Sequence, residues 1–125
     1  MKYSISIDHE LRLIRYKHSG LINAEDFYKT WQKFLTIPEF TVLKYNLLSD
    51  YGNGKLKIPI EYLSVIIDFM QTIEEIVRGK KQALIVSEPY SVAISMLFAY
   101  KANAKAGFNV QVFTTEKAAL EWLEY

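Results

Sequence analysis

The chain has 125 residues, 50% hydrophobic and 23% charged, a size and composition that suit one domain able to bury roughly two-thirds of its unfolded surface and that argue against intrinsic disorder. Fifteen Lys and Arg against fourteen Asp and Glu leave a net charge of +1, which excludes a dominant electrostatic pull toward nucleic acid or anionic lipid. There is no cysteine, so disulfides, thiolate zinc sites and cysteine nucleophiles are excluded as well.

Tyr3, Ile5 and Ile7 alternate with Ser4 and Ser6, the period of a half-buried strand over residues 3–7. A second, more basic strand is predicted over 11–18 after the turn Asp8-His9-Glu10, with Ser19-Gly20 closing the hairpin. Asn23 and Asp26 have the spacing of a capping box, and Ile22 and Phe27 that of a hydrophobic staple. Phe27, Trp31, Phe34 and Leu35 then recur at helical spacing up to Pro38. Residues 41–48 read as an inner strand running into a loop, Ser49–Gly54.

Pro59 suits the first turn of a long helix ending near Arg78 and stopped by Gly79. Leu63, Ile66, Ile67, Met70, Ile73 and Val77 form one stripe of it, and Tyr62, Val65, Phe69 and Ile76 form a second. Together they span an apolar arc of roughly 200°, wider than packing on one sheet requires. Either a neighbouring helix or a subunit interface would cover the second stripe, and in the latter case Phe69→Glu would disrupt assembly. Residues 82–87 read as a buried strand. The helix from Glu88-Pro89 to about Lys105 has no charge from Pro89 to Tyr100, so little of it is expected to be solvated. Val110, Val112 and Phe113 mark a last strand, and Thr114-Thr115 cap a final helix that packs through Ala119, Trp122 and Leu123.

The predicted order β-β-α-β-α-β-α-β-α makes this an α/β protein: a single domain over 1–125 with a mixed, mostly parallel sheet. Adjacent residues on a turn do not converge on one ion, so Asp8-His9-Glu10 reads as a surface turn rather than a metal site. Neither His9 nor His18 belongs to a nucleophile motif. The stretch from Tyr51 to Lys55 lacks the signatures of a P-loop or a dinucleotide fingerprint, leaving a flexible connection or an anion-binding loop. Ligands of open sheets engage loops beyond the carboxyl ends of strands, which singles out Ser49, Asp50, Tyr51 and Gly52, with Ser87, Glu88 and Tyr90, as candidate binding residues. Ser87, Ser91, Ser95 and Ala99 form a small-residue row suited to close helix packing or to a pocket wall. Trp31 and Trp122 read as core anchors. Arg78, Lys80 and Lys81 suit the dipole at the end of the long helix. Arg12, Arg15 and Lys17 around Tyr16 do not amount to an RNA-reading motif. No catalytic, metal or cofactor set can be named. The start has no apolar leader, and no run approaches the ~20 apolar residues of a membrane span. A soluble cytoplasmic protein that binds neither nucleic acid nor membrane is the expectation.

The element order and the ending Val110-Gln111-Val112-Phe113-Thr114-Thr115-Glu116-Lys117-Ala118-Ala119-Leu120-Glu121-Trp122-Leu123 resemble the STAS-like, or SpoIIAA-like, family of anti-sigma-factor antagonists. The resemblance implies a small non-enzymatic regulatory or interaction domain, a homodimer or a partner-binding protein. In founding members a kinase phosphorylates a serine in the pattern Asp-Ser, a small residue and Gly. Here the order is Ser49-Asp50-Tyr51-Gly52, so that switch does not transfer residue for residue. Lipid carriers of similar topology suggest the alternative, a small apolar-ligand or anion-binding domain.

Overall fold

The alternation at the amino terminus builds the expected hairpin: β1 (Lys2–Asp8) pairs antiparallel with β2 (Leu13–Asn23), Tyr3 opposite His18 and Ile7 opposite Ile14. The structure is a computed structural model and describes residues 2–124. β2 does not stop at residue 18. Gly20, at φ 80°, lets the strand turn and continue, so its first half pairs with β3 and its last residues with β4.

α1 (Ala24–Phe34) begins as its cap predicts. The Asn23 side chain accepts from the Asp26 amide at 2.8 Å, and the Asp26 carboxylate accepts from the Asn23 amide at 3.1 Å. Phe27, Trp31 and Phe34 go to the core. The predicted strand 41–48 is corrected. Pro38 opens a one-turn helix, α2 (Pro38–Thr41), and its carbonyl takes the amides of both Val42 and Leu43. Those two residues lie outside, and β3 (Asn46–Asp50) starts only after them. Ser49 and Asp50 therefore belong to a strand.

Gly54 likewise opens β4 (Gly54–Lys57), which lies parallel to the end of β2. A Cβ on Gly54 would sit 2.8 Å from Ile22 Cδ1 and 3.1 Å from the Gly20 carbonyl. That glycine serves a close approach of two strands rather than a phosphate.

The long helix predicted from Pro59 to Arg78 is also divided. A 3-10 turn, Ile60–Tyr62, leads into α3 (Leu63–Thr72), and Ile73, at φ −110° and ψ 22°, breaks it from α4 (Glu74–Val77). Gly79 adopts φ 79°, the left-handed stop expected of it. The chain then forms β5 (Lys81–Ile85), α5 (Pro89–Ala106), β6 (Asn109–Phe113) and α6 (Glu116–Glu124). Of the three cations assigned to the helix dipole, Arg78 pairs with Glu74 at 2.9 Å. Lys80 is buried instead, its ammonium donating to the Phe40 carbonyl. Lys81 opens β5 and reaches the Trp122 carbonyl at 3.1 Å.

The sheet order is β1-β2-β3-β5-β6, with β4 beside the far end of β2, and every pairing except β1–β2 is parallel. The crossovers advance in one direction, so α1, α3 and α5 share a face and bury Ile14, Tyr16, Leu47, Leu84 and Val110 with it. α6 covers the other face, laying Ala119 and Leu123 over Leu13, Leu48, Ala83 and Ile85. Among the described residues no helix is long and apolar enough to cross a membrane.

Candidate functional site

The loops after β3 and β5 meet, as the topology requires, and their polar atoms are spent on one another. The Tyr51 amide donates to the Ile85 carbonyl at 2.8 Å, and the Asp50 carboxylate accepts from the Gly52 amide at 2.8 Å. Ser87 Oγ donates to the Gly52 carbonyl at 3.0 Å, and the Tyr90 hydroxyl to the Ile58 carbonyl. Asp50, Tyr51, Gly52, Ser87 and Tyr90 are thus brought into one rim. Ser49 is not part of it. Fully buried on the helix-covered face of β3, it accepts from Gln82 Nε2 at 3.0 Å, out of a kinase's reach while the domain is folded.

Anion binding at the start of α5 meets a competitor in the same chain. Glu88 folds its carboxylate over the first turn, accepting from the Tyr90 amide at 2.9 Å, the Ser91 amide at 3.1 Å and Ser91 Oγ at 2.8 Å. Those bonds hold its carboxyl below the usual carboxylate range. Ser91 Oγ accepts in turn from the Leu56 amide at 2.9 Å, so this member of the serine row fastens β4 to α5. Among the described residues, no three His, Asp or Glu side chains are grouped to hold a metal ion.

Beneath the rim lies a polar chain that the sequence reading missed. His18, expected at a strand end, is inside, because β2 continues past it and keeps the inward phase of Ile14 and Tyr16. That period of two was the available signal. Thr30 Oγ1 donates to the Asp26 carbonyl at 2.9 Å, so it accepts from the Tyr16 hydroxyl at 3.0 Å, and Tyr16 accepts from His18 Nδ1. The protons therefore point one way, from strand to helix. Burial pushes the Tyr16 hydroxyl up to about 12 and His18 below its ordinary value, so both are neutral near pH 7. Tyr3 and Tyr51 flank the pair with ring centroids 6.1 and 6.4 Å from His18. His9 remains on the surface turn, where Nδ1 meets the Tyr45 hydroxyl at 3.0 Å.

Of the second apolar stripe, Tyr62, Phe69 and Ile76 are half-buried against the core, and Phe69 meets the Tyr28 ring at 5.3 Å. Val65 is 49% exposed. The expectation that little of α5 is solvated is corrected. Ala93, Met96, Leu97 and Tyr100 lie on its outward side, the last three 59%, 40% and 75% exposed, because no further layer covers the helix.

No family model and no curated relative matches the sequence. Among solved structures, an uncharacterized protein of the DUF3478 family with a SpoIIAA-like fold, from Shewanella loihica PV-4, aligns over 97% of this chain and 93% of that one, with a TM-score of 0.61 at 14% identity. The fold is SpoIIAA-like. The likeness is one of architecture and agrees with the predicted element order. On this SpoIIAA-like frame the rim after β3 and β5 is a polar collar bonded largely to itself, and α5 carries an uncovered apolar face of Met96, Leu97 and Tyr100.

Proposed function

We propose that this SpoIIAA-like domain is a non-catalytic interaction module that self-associates through α5, its role regulatory in kind. One observation carries this reading: α5 has no charge from Pro89 to Tyr100, yet its outward face is uncovered. A helix apolar on all sides is normally buried all round, and an uncovered apolar face marks an interaction surface. A second copy fits it. Two α5 helices packed antiparallel about Met96 and Leu97 set each Tyr100 against the other copy's Ala93, large against small. The same pairing opposes the helix dipoles and brings each Lys105 end to a Glu88 end.

Tyr100→Glu tests this reading, since a 75% exposed position tolerates the change in the monomer. Wild-type protein is expected to show twice the chain mass by light scattering at high micromolar concentration. The variant is expected to show the single-chain mass with an unchanged melting temperature. A monomeric wild type would overturn the reading. Phe69→Glu is less diagnostic, because that ring packs against Tyr28 in its own chain.

A further inference from the structure

Ser95 lies on the inner side of α5, 3% exposed, and among the described residues its hydroxyl has no hydrogen-bond partner. A buried hydroxyl without a partner is costly. A serine within a helix usually satisfies itself on the carbonyl four residues back, and this one does not. It lines an apolar cavity of about 20 Å³ with Phe27, Leu56, Ile66, Ile94 and Phe98. Tyr51 supplies the only other polar side chain of that lining. A single water would fit such a volume but needs two to four polar partners to be held. Phe27 and Ile66 also line a second void, of about 60 Å³, between α1 and α3, whose wall includes Tyr28, Trp31, Tyr62 and Phe69. Both are smaller than the roughly 150 Å³ that a benzene-sized guest uses, so a ligand requires the wall between them to move.

That wall is made by Phe27 of α1 and Ile66 of α3. α3 has no side-chain cap at Tyr62 and ends at the Ile73 break rather than continuing into α4, so an outward shift of its first turn sacrifices no side-chain cap. The lining has no cation. A carboxylate or phosphate would enter without a countercharge, which is far more costly than burying a neutral oxygen. We propose that Ser95 marks a cryptic site for an uncharged, mainly aliphatic molecule carrying one hydrogen-bonding oxygen, admitted between α1 and α3 as α3 shifts outward. The apolar body would merge the two voids, and its oxygen would meet the Ser95 hydroxyl. The site lies on the inner side of α5 and is independent of self-association.

1-Octanol titrated into methyl-labelled protein tests the proposal. Saturable shifts are expected at the Leu56, Ile66 and Ile94 methyls, with none at Leu13 or Leu48 on the opposite face. Ser95→Ala removes a hydroxyl that holds nothing, so it is expected to fold as the wild type does and to weaken octanol binding about fivefold, the worth of one neutral hydrogen bond. Octanoate at pH 8 is expected to bind at least about tenfold more weakly than octanol. Absence of saturable shifts, an unchanged affinity in Ser95→Ala, or octanoate binding as tightly as octanol would each overturn the proposal.

Discussion

Trp31→Ala is expected to cost about 4 kcal/mol of folding stability, the range for emptying a buried aromatic site. The indole is 1% exposed and meets three rings edge-on, Phe34 at 5.3 Å, Phe108 at 5.7 Å and Phe40 at 5.9 Å between centroids. These rings come from α1 itself, from α2 and from the residue just before β6, so one side chain ties the α1–α2 region to the start of the last strand. Each edge-to-face pair adds about 0.5–1.5 kcal/mol beyond the area it buries. Domains of this kind are stable by only about 5–15 kcal/mol, so the variant should retain a small remainder. Urea unfolding gives the measurement, and a loss under about 1 kcal/mol would contradict this account of the core. Trp122, half-buried on α6, should cost clearly less.

Lys80 should make the domain more stable as the pH rises from about 8 toward 10.5. The residue is 4% exposed, and its ammonium donates to the Phe40 carbonyl and lies 4.0 Å from the centroid of the Phe40 ring. Among the described residues no carboxylate pairs with it. Burial first, and the charge of Lys44 second, bring it down from 10.5 to about 8. Between those values the unfolded chain holds a proton that the folded chain has released, so stability increases with pH in that window. At about 1.36 kcal/mol per unit the full rise approaches about 3 kcal/mol. Lys80→Met should flatten the rise, whatever it does to the baseline through the Phe40 carbonyl. Parallel slopes for the two proteins between pH 8 and 9.5 would refute the assignment.

The parts of the fold that were legible are those in which one local signal is enough. Period-two alternation placed β1, and the Asn23–Asp26 reciprocity placed the start of α1. Misreadings occurred where an apolar residue faces outward or a charged one inward. Val42 and Leu43 read as strand because composition does not reveal that the Pro38 carbonyl takes both their amides. The burial of Lys80 is invisible locally, because the ring and carbonyl that receive its ammonium belong to Phe40, 40 positions away. At the candidate site, the meeting of Tyr51 and Ser87 followed from strand order. That Ser49 faces inward follows from the strand including it, and this was hidden by Ser-Asp resembling loop composition. The uncovered side of α5 is legible only in reverse: lack of charge signals a surface that avoids water but does not say whether the same chain or another covers it.

β2 divides its neighbours along its length, Leu13–Lys17 lying between β1 and β3, while Gly20–Asn23 leans on the four residues of β4. One strand therefore has two lifetimes. Its first half is hydrogen-bonded on both sides, to the edge strand β1 and to the inner strand β3, and is expected to open only when one of them separates. Its second half, beyond a glycine and held by a short neighbour, opens whenever β4 lets go, so amides a few residues apart exchange with solvent by different routes. The collar around the rim draws on both regions, bonding to Ile85 of β5 on one side and to Ile58, just past β4, on the other.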